Sequence, residues 1–393
     1  MRKDSIKFLF SIIILGFGLH LFAGEGDKDK SVNLKAGGTT TTFTYGGFVK
    51  ADFILSDYSD GTLGSGSAGR DFYIPGTVPV GGEGGDAQFD AHVKESRVNF
   101  KTKTAFENGE EVSTYVEMDF QLPTGGNERV SNSYNPRMRH AFIKWRSILA
   151  GQTWSTFFNV SALPENVDFV GPAESTIFIR QTMLRFAKNG FMFAIENPET
   201  TVTPYGGGGR IVTDNGQMPD FVFRKDFKKG KSSFTIAALA RQLTYDAIDD
   251  SVGSLGLSLS GKFVFDKDDL RVMFNTGSGM GRYLGLNLVN GAVINADNEL
   301  DTIDSSSAFI SYRHFWNAKW RSNFTYGMTT VDNDTDLTGM GVTSDASSIH
   351  VNFLYSPVAK LTVGAEFMHA TREIESGAEG DMSRFQFMMK YAF

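Results

Sequence analysis

The chain has 393 residues, no cysteine, a formal net charge of −7 and 13% aromatic residues. The lack of cysteine excludes a disulfide framework, a thiolate metal site and a cysteine nucleophile. A mean hydropathy of −0.19 excludes a bundle of apolar membrane helices but leaves room for a membrane barrel, whose strands alternate apolar and polar residues and so average near neutral.

The first element in chain order is an export signal. Arg2, Lys3 and Lys7 lead into an apolar run from Phe8 to Ala23, and small Ala23 and Gly24 offer a cleavage point. The run is shorter than the ~18 residues of a membrane-spanning helix, so residues 1–23 are expected to be a cleaved signal peptide. Residues 24–42 are polar and read as a flexible lead-in, and residues 43–393 as one domain.

From Phe43 onward one unit repeats, an alternating segment followed by a turn. The segments are 43–55, 91–106, 111–121, 135–146, 148–157, 177–188, 190–198, 219–227, 232–244, 254–265, 269–283, 305–315, 318–330, 347–356, 360–373 and 383–393. Short connections such as Asn108-Gly109 and Asn189-Gly190 are two-residue hairpin signals, since both positions tolerate φ > 0. They alternate with longer ones at 56–90, 122–134, 158–176, 199–218, 245–253, 284–304, 332–345 and 374–381. The predicted fold is all-β: a transmembrane antiparallel β-barrel of about 16 strands, with short periplasmic turns and long external loops. A barrel of that size leaves an aqueous channel.

Parity assigns the faces. Val49, Ala51, Phe53 and Leu55 are expected to face lipid, with Lys50 and Asp52 in the lumen. A lipid-facing Arg or Lys near the bilayer midplane costs ~2–4 kcal/mol, so charged residues must line water. The predicted pore-lining, anion-binding residues are Lys50, Arg97, Lys101, Arg137, Arg139, Arg185, Arg224, Arg241, Arg271, Arg282, Arg313 and Arg321. Inward acids are fewer, with Asp52, Glu117, Asp119, Asp220, Asp226 and Glu366 foremost. About half of the arginines are expected to pair with wall or loop acids. The remaining basic excess, inside a low-dielectric shell, concentrates small anions.

The segment 158–176 follows the fifth strand and carries Val167, Phe169 and Val170, which suit a loop folded inward to narrow the pore. Its Glu165, Asp168 and Glu174 are expected to face Arg137, Arg139 and Arg185 across the constriction. The last strand places Phe385, Phe387, Met389, Tyr391 and Phe393 on one face. Its other parity, with Met388, is expected to add little to the pore. A closing strand ending in Phe393 resembles those that the barrel-assembly machinery reads in bacterial outer membranes.

Several segments in order resemble the DcaP family of outer-membrane porins. They include Gly47-Phe-Val-Lys-Ala-Asp-Phe-Ile54, Gly69-Arg-Asp-Phe-Tyr-Ile-Pro75, Glu95-Ser-Arg-Val-Asn-Phe-Lys-Thr102, Gly151-Gln-Thr-Trp-Ser-Thr156, Val167-Asp-Phe-Val-Gly-Pro172 and Tyr312-Arg-His-Phe315. The resemblance implies homotrimers of sixteen-stranded barrels in the bacterial outer membrane that pass dicarboxylates and related small anions. It carries no ligand residues individually. Residues 24–42 are too short and Gly/Thr-rich for the coiled coil some members carry.

Two other classes fit the sequence less well. A hydrolase finds no triad among His92, His140, His314, His350 and His369, and no enzyme is expected. Asp332-Asn-Asp334-Thr-Asp336 begins like a calcium loop, but Leu337 stands where the turn glycine belongs, so no metal site is assigned. Gly277-Ser-Gly279-Met-Gly281 follows a strand but leads into no helical pattern, so nucleotide binding is not expected; no cofactor and no nucleic-acid partner are assigned. The alternative to a porin is a barrel with a structural role or with long loops that bind a partner at the surface. The partners expected of a porin are outer-membrane lipid and small anionic solutes.

Overall fold

The computed structural model describes residues 31–36, 38–122 and 133–393. Period-two alternation gives long strands from the start. β1 (Ser31–Ala36) and β2 (Thr39–Tyr58) form a hairpin, and β3 (Gln88–His92) and β4 (Arg97–Ala105) follow. Next come β5 (Glu111–Asp119), β6 (Arg137–Trp145), β7 (Ile148–Trp154), β8 (Arg180–Lys188) and β9 (Phe191–Glu196). Two short strands, β10 (Thr200–Thr203) and β11 (Ile211–Thr213), precede β12 (Asp220–Lys229), β13 (Ser232–Tyr245), β14 (Asp250–Phe265) and β15 (Asp268–Ser278). Short β16 (Ala292–Ile294) and β17 (Leu300–Thr302) lead to β18 (Asp304–Phe315), β19 (Trp320–Asp332), β20 (Thr343–Tyr355), β21 (Leu361–Ile374) and β22 (Glu379–Ala392).

The sheet of eighteen segments is a closed barrel of sixteen antiparallel strands, because β3 and β4 are halves of one strand and β1 is an added hairpin arm. β22 closes on β2 from Phe48↔Ala392 to Tyr58↔Met382, and the Phe393 amide donates to the Gly47 carbonyl. The predicted faces hold. Phe53, Phe385 and Tyr391 point outward and are about half exposed, whereas Lys50 and Asp52 are buried inside. Rings gather toward the short-turn rim, where Trp320 stacks on Tyr355 at 4.1 Å and on Phe353 at 4.7 Å, as in an interfacial girdle. Asn189 and Gly190 take the positive φ values, 52° and 78°, that their hairpin requires.

Three expectations change. Within the lead-in, β1 pairs with Thr39–Thr44, and β2 continues down against β4 as far as Thr40↔Ala105. The β-branched Thr39–Thr42 run explains this, since it suits a strand better than a flexible tail. Residues 1–30, with the predicted signal peptide, lie outside the described residues, as do 123–132 in the second long loop. The connections at 245–253 and 374–381 are short, because β13 and β14 pair up to Tyr245↔Asp250 and β21 and β22 up to Glu373↔Glu379. β10, β11, β16 and β17 build a separate four-stranded sheet from the fourth and sixth long loops. It packs over Val202, Leu243, Ala292 and Leu300.

Candidate functional site: the loop-lined lumen

The connection from β7 to β8, residues 155–179, is rich in apolar residues. Phe157, Phe158, Ala162, Val167, Val170, Ala173 and Ile177 are each at most 1% exposed. Folding them inward removes them from water but also buries the loop's backbone, whose N–H and C=O groups then need partners. One side of the barrel supplies these. Arg224 Nη1 donates to Phe158 O (2.7 Å), Arg271 donates to Leu163 O, Asn352 Nδ2 to Glu165 O (2.9 Å) and Lys50 Nζ to Val167 O (2.7 Å). Glu366 on β21 accepts from the Val167 and Asp168 amides at 2.8 and 3.2 Å and from Asn352 Nδ2 at 2.9 Å. On the return arm, Asn275 Nδ2 donates to Ser175 O (3.0 Å) and Thr329 Oγ1 to Glu174 O (2.6 Å). Gly327 leaves room for this arm: a Cβ there would fall 2.2 Å from Glu174 Oε1 and 2.7 Å from Pro172 Cβ.

Two more loops fold inward. Phe72, Tyr73 and Val78 of the β2–β3 connection pack with Tyr58, Val170, Ala173 and Met368. Met280, Tyr283 and Leu284 of the β15–β18 connection pack with Phe157 and Ile177, and Leu284 bridges Ile177 as a strand pair. Among the described residues three loops therefore constrict the lumen, where the sequence pointed to one.

The predicted loop carboxylates lie inside, but none faces Arg137, Arg139 or Arg185. The loop follows the opposite wall, so they meet other groups. Glu165 takes Arg321 (Nη2, 2.6 Å) and Arg313 (Nη1, 2.9 Å). Burial alone would raise its carboxyl, yet those two guanidiniums hold it below the usual range. Asp168 accepts from the backbone amides of Tyr73 (2.8 Å), Val170 and Gly171 (3.0 Å each), with Arg384 Nη1 at 3.9 Å. Glu174 is fully buried against Ser348 Oγ (2.9 Å), and burial pushes its carboxyl up to about 7.

Across the lumen, β4, β5 and β6 carry Arg97, Arg137 and Arg139 around Glu117 and Asp119. Arg137 Nη2 and Arg139 Nη1 reach Asp119 Oδ2 at 2.8 and 2.6 Å, Arg139 Nε reaches Glu117 at 2.7 Å, and Arg97 lies 4.0 Å from it. A bulge opposite Glu117 and Met118 inserts Arg139 beside His140, and both side chains turn inward. A fourth arginine, Arg180, lies over the Trp154 ring at 4.5 Å and close enough to Arg139 and Arg137 to feel their charge. It has no carboxylate partner among the described residues, and its Nη1 is buried without a hydrogen bond. Phe169, on the inward loop, faces this wall with the Arg97 and Arg139 guanidiniums 5.7 and 5.6 Å from its ring. Lys101 is exposed lower down, at a cavity of about 690 Å³ toward the short-turn rim.

The other basic residues also line the interior, and most are neutralised. Lys50 pairs with Asp52 (3.0 Å) and Glu95 (2.6 Å), Arg224 with Asp226 (2.8 Å), Arg241 with Asp220 (3.2 Å) and Arg271 with Asp269 (2.7 Å). Arg282 lies 3.6 Å from Glu199 and 3.8 Å from Asp220. Arg185 instead donates to Thr156 Oγ1 at 2.7 Å. Pairing thus reaches well beyond the expected half. Two side chains escaped the sequence reading. Arg180 sits on the outward parity relative to Arg185, but the chain leaves the wall at Trp154, and the cost of a lipid-facing arginine was the available clue. Arg384 is 1% exposed and binds Ser56 Oγ at 2.8 Å and Gly69 O, so the closing strand anchors the first inward loop after all.

The family model for the DcaP outer membrane protein matches residues 76–393. The chain belongs to the DcaP outer membrane protein family. The porin superposes on the outer membrane channel DcaP of Acinetobacter baumannii with a TM-score of 0.74 and 18% identity, covering 90% of this chain and 97% of that one. The anion-selective porin from Comamonas acidovorans shares the fold at a TM-score of 0.54 and 10% identity, covering 90% and 100% of the two chains. Salmonella typhi OmpF, in its complex with daunomycin, does so at 0.55 and 11%, covering 92% and 100%. No curated protein matches the sequence. The family and the fold make this chain an outer-membrane porin, a channel and not an enzyme.

Proposed function

We propose that this DcaP-family porin conducts small anions in preference to cations, with carboxylates, dicarboxylates above all, as its solutes. The observation that carries the reading is the wall of β4–β8, where Arg97, Arg137, Arg139 and Arg180 share, among the described residues, only Glu117 and Asp119. A carboxylate entering there meets planar guanidiniums able to bind it bidentately, with Trp154 and Phe169 beside them to exclude water. Pore-lining roles for the twelve predicted basic residues follow with unequal weight, since those already ion-paired mainly hold loops. Reversal potentials under a salt gradient across planar bilayers test the preference, and cation selectivity would overturn it. Liposome swelling with succinate-like solutes against neutral sugars of similar size tests the solute class.

The same reading includes a homotrimer, checked by the mass of the unheated protein in mild detergent. It includes recognition of Phe393 by the barrel-assembly machinery, so its deletion lowers outer-membrane insertion before it alters selectivity. Residues 1–23 are read as removed on export, which N-terminal sequencing of the purified porin checks. A surface-binding role is favoured by one feature, the sheet of β10, β11, β16 and β17, which leaves Val212 58% exposed. A barrel passing negligible current would favour it over the channel reading.

A further inference from the structure

We infer that the outer face of β8–β14, at the short-turn rim, is a binding site for the phosphate-bearing headgroup of an anionic glycerophospholipid in the periplasmic leaflet. Lys188 stands opposite Phe191 on β9, and Phe191 opposite Lys225 on β12, so all three share a face. That face is the lipid side, because Phe186, Phe193 and Phe223 of the same parities are 48%, 38% and 56% exposed. Lys229 repeats the parity of Lys225, and Lys231 follows in the turn.

Lysines on a lipid-facing parity need a reason. Lys225 Nζ lies 3.5 Å from the Phe191 ring centroid and 5.7 Å from that of Phe227, and it donates to Asn189 O at 3.1 Å. The side chain thus runs along apolar rings and delivers its charge to the rim, as a snorkelling lysine does. Among the described residues none of Lys188, Lys225, Lys229 and Lys231 forms an ion pair. The carboxylate adjoining them in sequence, Asp226, has inward parity and is held by Arg224 (2.8 Å) and Thr235 (2.7 Å). Two rim cations on other strands are neutralised: Lys103 meets Glu111 at 2.7 Å, and Arg146 pairs with Glu110.

The patch also has a place for an acyl chain. A groove of about 440 Å³ runs between Phe227, Phe234 and Phe263, with Lys228 and Lys229 at its lip. Apolar rings below and unneutralised ammonium groups above match a lipid with a negative headgroup. The occupant is a lipid because this surface is continuous with the band that a membrane barrel must sheathe in acyl chains. Each lysine near an anionic leaflet strengthens binding by about fivefold.

Native mass spectrometry of the full porin, released from micelles containing equal phosphatidylglycerol and phosphatidylcholine, tests the inference. The expected result is retention of phosphatidylglycerol at least about tenfold over phosphatidylcholine, falling to near parity in the Lys188→Gln/Lys225→Gln/Lys229→Gln variant. A control with the same charge change elsewhere, Lys35→Gln/Lys103→Gln/Lys319→Gln, keeps the preference. Equal retention of both lipids by the unaltered porin overturns the site, and so does equal loss in the control. A patch variant that keeps the preference but changes the number of associated chains also overturns it, in favour of a protomer contact. Heat-modifiable gel mobility reports whether each variant is folded; if the triple variant is not, Lys225→Gln alone is read for a partial loss.

Discussion

The two sides of the lumen treat the same inward loop differently. On the side running from β12 around to β2, side chains reach its backbone: Arg224, Arg271, Asn352 and Lys50 cap its carbonyls, and Glu366 takes two of its amides. On the side of β4–β8 the loop presents the Phe169 ring to Arg97 and Arg139, with no hydrogen bond in the contact. The first side fixes the loop, since each buried N–H or C=O left alone would cost about 1–3 kcal/mol. The second leaves guanidiniums with unused donors facing an aromatic surface, which a passing anion can engage without breaking structure. Rigidity and reactivity toward solutes are separated by which wall a charge sits on.

The largest effect expected from breaking that contrast is at Glu366. Glu366→Ala strands the Val167 and Asp168 amides and leaves His350 without its carboxylate, 3.2 Å away in the intact protein. It should cost about 3 kcal/mol or more, read as a lower urea midpoint, and single-channel records should become noisy as the loop detaches. Glu174 comes next. Its carboxyl is raised to about 7 from a usual value near 4.5, so the folded state binds the extra proton in between. Its stabilising contribution is complete below about pH 4.5 and is lost as pH rises through about 7, a change of up to about 3 kcal/mol. Glu174→Gln, neutral throughout, should flatten the pH dependence of the urea midpoint across that window.

On the opposite side, Arg180→Gln removes a charge that holds no carboxylate among the described residues, so stability should change little while anion-over-cation permeability falls about threefold in reversal-potential measurements. The smallest change is Glu165→Gln, which frees Arg313 and Arg321 on the clamped wall. Anion preference should rise by about twofold or less, because these arginines also hold other oxygens. A larger gain from Glu165→Gln than loss from Arg180→Gln would reverse the roles given to the two sides.

How much of this the sequence carried depends on range. Alternation and turn chemistry are local, so the wall strands, their faces and the Asn189-Gly190 hairpin were readable residue by residue. The inward loop was readable from Val167, Phe169 and Val170, which have no place in a solvated loop. Its partners were not: Glu165 meets Arg321 across 156 positions and Asn166 meets Glu366 across 200, and no periodicity links such pairs. Strict parity also misled where the chain leaves the wall. Counting from Arg185 puts Arg180 on the outward parity, which hides its place at the lumen, and Arg384 stands among the weaker residues of a strand dominated by Phe385 and Phe387.

The bulge that places Arg139 beside His140 has a counterpart between β3 and β4, where Lys94 and Glu95 are consecutive and both buried. A regular strand offers the lumen every second side chain and no more. Gaining or losing one residue at such a point adds or removes an inward charge while the lipid-facing rows on either side, such as Met138 and Ile143, stay in place. The count of charges in the lumen can therefore drift by single insertions and deletions without the membrane surface being rewritten. In related barrels, length differences within wall strands should gather at these two positions, and changes in ion preference should track them.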